Sequence, residues 1–195
     1  MPRLSDETRR RRRDEIAAAA MRCFARDGFS STSMADIIRE AGSSAGSVYS
    51  HFESKADLVR YVASGTLTSL SATISEELPS DRIPSSVVLH LLRASAGRQH
   101  ARTLLQIWAE APRDPGIAEL AQETTVEVRA LVVDLLTPWC RETTSDAVQA
   151  ESRAEALSDA VLTALQGFIV RLSIDPDVQP EALAERIAAS FADVR

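Results

Sequence analysis

Apolar residues recur along this chain at intervals of three and four, and no useful length shows the strict alternation of a half-buried strand. Ile16, Ala20, Cys23 and Phe24 fall at i, i+4, i+7 and i+8, which predicts a first helix from about Arg9 to Asp27 that Gly28 closes. Met34, Ile37, Ile38 and Ala41 predict a short second helix ended by Gly42, and Val48, Tyr49 and Phe52 a short third. Ser54-x-x-Asp57 has the pattern of a capping box and opens a long helix through Leu58, Val62, Leu67, Leu70 and Ile74. After Pro79 and Pro84 come helical segments at about 85–97, 100–110, 115–141, 145–173 and 180–194. The fold class is all-α.

Composition narrows the picture. The 195 residues are 45% hydrophobic and 26% charged, enough apolar content for a core and too much for disorder. Two cysteines, Cys23 and Cys140, exclude a disulfide scaffold; Cys23 is expected to pack in the first helix, and exposure of Cys140 is left open. The net charge of −6 is unevenly spread: residues 1–60 hold eleven Lys and Arg against nine Asp and Glu, residues 61–195 eleven against nineteen. A polyanion would meet the mildly basic head, not the acidic body. The longest apolar stretch, Ala160–Ile174, carries Gln166 and Arg171 and is short for a membrane span, so the chain reads as cytoplasmic with no membrane partner.

The densest punctuation lies between Gly28 and Phe52, which holds three of the seven glycines. A helix, a tight glycine-containing turn and a second short helix form a helix-turn-helix unit, here at about residues 33–52. In such a unit the second helix enters the major groove by its N-terminal residues, here Ser44, Ala45, Gly46 and Ser47. Gly46 inside a helix costs roughly 1 kcal/mol against Ala, so close approach to DNA or to a neighbouring helix must compensate; both readings stay open.

Residues 10–62 resemble the TetR family of transcriptional regulators. The matching positions are Ala20, Phe24, Gly28-Phe29, Thr32, Asp36-Ile37, Ala41-Gly42, Ser44, Gly46, Tyr49, Phe52, Lys55 and Leu58. The resemblance implies an N-terminal three-helix DNA-binding domain, at residues 10–70, and a helical ligand-binding and dimerisation domain at 71–195. It implies a homodimer on double-stranded operator DNA, most simply a repressor released from a palindromic operator by a small-molecule inducer. Ser43 stands where the family usually has an aliphatic residue, Ala45 where many members place a basic one, and Ile38 where a small one is common.

Tyr49 matches the family tyrosine and is read as a phosphate contact ahead of plain packing. Lys55, the only lysine, sits in the first turn of a helix against the helix dipole, a cost that a DNA phosphate would offset. Thr32 and Ser33 are candidate caps of the second helix, and the resemblance adds phosphate contact at Thr32. Ser44 and Ser47 are candidate donors to phosphate or base edges, and His51 either reaches the DNA backbone or is a plain surface residue. The Arg9–Arg13 run reads as a flexible arm on DNA or as the solvated start of the first helix.

In the body, Val161, Leu162, Leu165, Phe168, Ile169, Val170 and Leu172 make the segment 145–173 apolar nearly all round near its end, and Leu183, Ile187, Phe191 and Val194 form a second stripe. Both stripes are expected at a four-helix dimer interface; the competing reading is a helix central to one subunit. The resemblance places a ligand pocket among the middle helices, with Leu104, Gln106, Trp108 and Gln166 as candidate lining, and His90, His100 and Arg102 as further polar candidates. Trp108, an aromatic at helical spacing, reads as core ahead of pocket lining. The acidic body hints at cationic ligands, and solubility explains it as well.

An enzyme is the alternative from another class, and a DNA-binding dimer without a ligand is a third. His51, His90 and His100 lack metal-ligand spacing, and no Walker loop, dinucleotide fingerprint or nucleophile motif stands out. No cofactor or metal is expected.

Overall fold

A computed structural model describes residues 6–192, and among these it contains nine α-helices and no strand. They are α1 (Asp6–Asp27), α2 (Met34–Glu40), α3 (Ala45–Tyr49), α4 (Lys55–Ser75), α5 (Pro84–Ala94), α6 (Arg98–Glu110), α7 (Pro115–Thr143), α8 (Ala147–Ile174) and α9 (Pro180–Ala189). The chain divides into two compact units, a head that ends at Thr66 and a body that begins at Leu67, within α4.

The head is built on the stripe that the spacing predicts. Ile16, Ala20, Cys23 and Phe24 of α1 are buried with Ile37, Val48, Phe52, Leu58 and Val62. Phe24 meets Phe29 edge to face at 4.6 Å, and Phe52 meets Tyr61 at 5.4 Å. Gly28 (φ 82°) and Gly42 (φ 58°) end α1 and α2 in the left-handed region, which an L side chain adopts only under strain. The arginine run is helical, since Arg9–Arg13 lies inside α1, and the arm reading does not hold for it. Arg13 lies over the rings of Phe52 (4.7 Å) and Tyr61 (4.6 Å), and the Tyr61 hydroxyl donates to Asp14 at 2.7 Å. These contacts fasten the start of α1 to the end of the helix-turn-helix.

In the body, α8 packs against α6 and α7, and α5 against α9. The buried residues of α8 are Ala150, Ala154, Ser158, Val161, Leu165, Phe168, Ile169 and Leu172, one arc at helical spacing. The dimer-interface expectation is corrected here. Val161, Leu165, Phe168, Leu172 and Leu183 are all buried in the subunit's own core, and only Ile187 and Phe191 are partly exposed. The register of α8 is the reason: the arc opposite the core carries Ala156, Ala160, Thr163, Gly167 and Arg171, all exposed. Val194 lies outside the described residues.

Taken whole, α8 is longer than the apolar stretch read from the sequence and is long and apolar enough by composition to cross a bilayer. In the fold it is the core helix of the body. Arg98, at the start of α6, donates to the carbonyls of Leu172, Asp175, Pro176 and Val178 and so fixes the turn from α8 to α9. Cys140 is fully buried on α7, not accessible, and burial raises the thiol pKa of both Cys140 and Cys23 above the ordinary range.

Candidate nucleic-acid interface

The second helix begins with a complete capping box. The Ser33 Oγ accepts from the Asp36 N–H at 3.2 Å, and the Ser33 N–H donates to Asp36 Oδ2 at 3.0 Å. The Ser33 hydroxyl and backbone N–H hold the Asp36 carboxyl below the usual carboxylate range. Thr32 is 2% exposed, and its hydroxyl donates inward to the Gly28 carbonyl at 2.8 Å. Among the predicted DNA contacts it is the one that the fold withdraws from the surface, to close the loop after α1.

The third helix starts at Ala45, because Ser44 caps it by accepting from the Ser47 N–H at 3.2 Å. Val48 anchors the helix in the core. Ser44, Ala45 and Gly46 are exposed, Ser47 is half-buried, and Tyr49 stands 49% exposed. A Cβ built at Gly46 meets no atom within 4 Å, so packing against a neighbouring helix does not require glycine there. Ser43, in place of an aliphatic residue, receives a hydrogen bond from Arg12 Nη2 at 2.6 Å and donates to the Ala41 carbonyl at 3.2 Å. The turn is thus tied to α1 by polar contacts where the family pattern would use packing.

Lys55 opens α4, and its Nζ donates to the Ser30 carbonyl at 3.1 Å. That carbonyl offsets the unfavourable placement of a cation at a helix N-terminus and leaves two of three ammonium donors for another partner. His51 is half-buried, and its Nδ1 is enclosed with no partner among the described residues. Burial, then Arg9, Arg13 and Arg12, press its pKa below the ordinary histidine range. In the head, Ser33 and Ser44 cap α2 and α3, Ala45, Gly46, Ser47 and Tyr49 lie on α3, His51 lies in the turn after it, and Lys55 opens α4. The structure adds Arg12 and Arg13, whose partners Ser43, Phe52 and Tyr61 are too distant in sequence for spacing to reveal.

A second feature lies in the body. A cavity of about 920 Å³ opens between α6, α7 and α8, lined by Trp108, Pro112, Ala118, Gln122, Thr125, Gln166 and their neighbours. It borders a narrow apolar throat of about 40 Å³ that Leu67, Leu70, Val128, Leu162 and Ile169 share with Trp108. Of the four candidate lining residues, Trp108 and Gln166 border it. Leu104 is fully buried in the core and Gln106 is not among the lining residues. His90, His100 and Arg102 also lie outside the lining; the Nε2 of His90 sits 2.9 Å from the Ile74 carbonyl. Sequence reasoning missed Gln122 and Thr125 because nothing in the spacing of α7 separates an exposed polar residue from one beside a cavity.

Residues 16–62 match the family model described as bacterial regulatory proteins of the tetR family, and residues 81–194 match that of the BetI-type transcriptional repressor C-terminal region. The HTH-type transcriptional regulator AcrR of Shigella flexneri is 27% identical over 112 residues, which span 55% of this chain and 52% of that protein. The HTH-type transcriptional regulator BetI of Vibrio campbellii is 27% identical over 172 residues, 85% of this chain and 82% of the relative. A crystal structure of a transcriptional regulator from Rhodococcus superposes with a TM-score of 0.74 at 21% identity, covering 92% of each chain, a likeness of fold.

Proposed function

The chain belongs to the TetR family of transcriptional regulators, and from this we propose that it is a homodimeric repressor, bound to a palindromic operator and released by a small-molecule inducer. The observation that carries the DNA-binding half is the exposed, side-chain-capped start of α3. Ser44, Ala45 and Gly46 offer nothing bulky at the point that enters a major groove, while Tyr49, His51 and Lys55 flank it as backbone contacts. Ser33 is exposed, but its hydroxyl and its backbone N–H are both engaged with Asp36 in the capping box.

A dimer is supported by α8, through the arc opposite the core and not through the stripe expected from sequence. Ala156, Ala160, Thr163 and Gly167 present small exposed side chains in one row, and a Cβ at Gly167 meets nothing within 4 Å inside the subunit. The subunit gives no reason for a mid-helix glycine, and a partner helix packed closely on that row supplies one. Two heads on a twofold axis call for an operator with matching symmetry.

The inducer occupies the body cavity, whose size is typical of ligand pockets. It lowers DNA affinity only by binding more tightly to the conformation with lower operator affinity, since equal affinity shifts nothing.

The test is anisotropy of labelled promoter fragments from the protein's own genome, with sedimentation of the same sample. Binding of one dimer to a palindromic fragment at low ionic strength is the expected result. Indifference to every fragment, or a lone subunit at micromolar concentration, overturns the proposal.

A further inference from the structure

We infer that the body cavity takes a neutral amphipathic molecule, an apolar chain or ring carrying an amide- or hydroxyl-like group, and discriminates against organic cations and anions. This rests on the reading of the cavity as the inducer site and adds the ligand's chemical class.

No lining residue of the cavity or its throat is ionisable. The polar groups are the amides of Gln122 and Gln166 and the hydroxyls of Thr124 and Thr125; the rest is alkyl, apart from the Trp108 indole. Both threonine hydroxyls already donate within α7, to the carbonyls of Leu120 at 3.0 Å and Ala121 at 2.8 Å, so toward a ligand they can only accept. The two glutamines are exposed at the mouth, and each offers a donor and an acceptor. That inventory satisfies a neutral polar group and leaves a charge without a counter-ion.

Two features that would favour a cation are absent or weakened. The acidic surplus of the body contributes no carboxylate to the lining, and one indole is not a cage of aromatic faces. The C-terminal end of α6, which holds Trp108 and leads to Ala111 and Pro112 at the mouth, carries the negative pole of a helix. Arg113 Nη1 donates to the Ala109 carbonyl at 2.8 Å, and the Arg113 and Asp114 N–H groups donate to the Glu110 carbonyl at 2.8 and 3.1 Å. These contacts engage the Ala109 and Glu110 carbonyls and so weaken that pole, while Pro112, which has no N–H, offers none to the Trp108 carbonyl.

Three probes of one chain length separate the classes: octanamide, octanoate and octyltrimethylammonium. The full-length Trp139→Phe protein leaves Trp108 as the single indole, and Trp139 lies outside the cavity, under the Arg153 guanidinium at 4.6 Å. Octanamide is expected to change Trp108 emission saturably, at a concentration at least tenfold below that needed for either ion. Gln166→Glu, which places a carboxylate at the mouth, should reverse the order and tighten octyltrimethylammonium at least tenfold. Calorimetric titration of the unmodified chain gives the same ranking if Trp139→Phe proves unstable. An ion that binds as tightly as octanamide, an unchanged order in Gln166→Glu, or no saturable binding by any probe overturns the inference. Octanamide binding that leaves DNA affinity unchanged keeps the ligand class and rejects the inducer role. Release of DNA by one of the ions alone keeps the inducer role and rejects the class.

Discussion

The head and the body solve the problem of presenting a site in opposite ways. In the head, most candidate contacts ride on or cap helices of five and seven residues, too short to be stable alone, and each of those helices is held by a side-chain cap. Ser33, Ser44 and Ser54 accept from backbone N–H groups three residues on, and Arg12 and Arg13 brace the turn and the exit of the motif. In the body, helices of 29 and 28 residues bury wide apolar arcs, and the site is the space left between them. The head shows its chemistry as polar atoms at fixed local offsets. The body defines its own by shape and by which side chains stay out of it, and its acidity lies elsewhere on the surface.

Substitutions can break this contrast, the strongest first. Phe52 is fully buried beneath Arg13, and Phe52→Ala should cost about 3–5 kcal/mol, enough to unfold the head. Chemical denaturation should show an early loss of structure and anisotropy no DNA binding, while Trp108 in the body keeps its emission. A single transition that takes Trp108 with it would merge the two regions into one folding unit. Next, Gly167→Leu should split the proposed dimer and lower affinity for the proposed palindromic site about a hundredfold, roughly 2.7 kcal/mol, through loss of bivalency. Sedimentation reads the first effect and anisotropy the second; an intact dimer would move the interface off the outward arc of α8.

Smaller effects sharpen the contrast within the head. Tyr49→Ala and Lys55→Ala should each weaken DNA binding about tenfold, equally for all sequences, and Lys55→Ala should flatten the salt dependence by about one unit of slope. A change in operator preference at constant general affinity would assign them to base contact. Ser33→Ala removes the cap of α2 and should destabilise the head by about 1 kcal/mol in a denaturant titration. Acid gives the mildest effect. His51 binds a proton less readily folded than unfolded, so the unfolded chain protonates first and stability declines as pH falls below about 6.5. His51→Gln should lose less stability than the unmodified chain between about pH 7.5 and 5.5.

Much of the head was legible because its signals are local. Gly28 and Gly42 end helices at the positive-φ positions where glycine is needed, and Ser33-x-x-Asp36 forms the box that its spacing predicts. Thr32 misled because one hydroxyl suits a cap, a loop closure and a phosphate alike, and only burial decides. The stripe of α8 misled for a different reason. Val161, Leu165, Phe168 and Leu172 look the same in sequence whether they face α6 and α7 or a second subunit, since both environments exclude water. Likewise Trp108 and Gln166 could be placed near a cavity, while Gln122 and Thr125 needed the packing of α7 on α8 to be seen. Long-range contacts such as Arg13 on Phe52 leave no periodic trace.

The two sulfhydryls are distributed one to each unit, Cys23 in the head and Cys140 in the body, both sealed from solvent. A thiol reagent therefore modifies the native molecule only when a region opens, and the two rates, separated by peptide mass, are independent clocks for the two halves. Operator DNA should slow the Cys23 clock and a cavity ligand the Cys140 clock, so one untouched sequence carries a built-in reporter of which half each ligand holds shut.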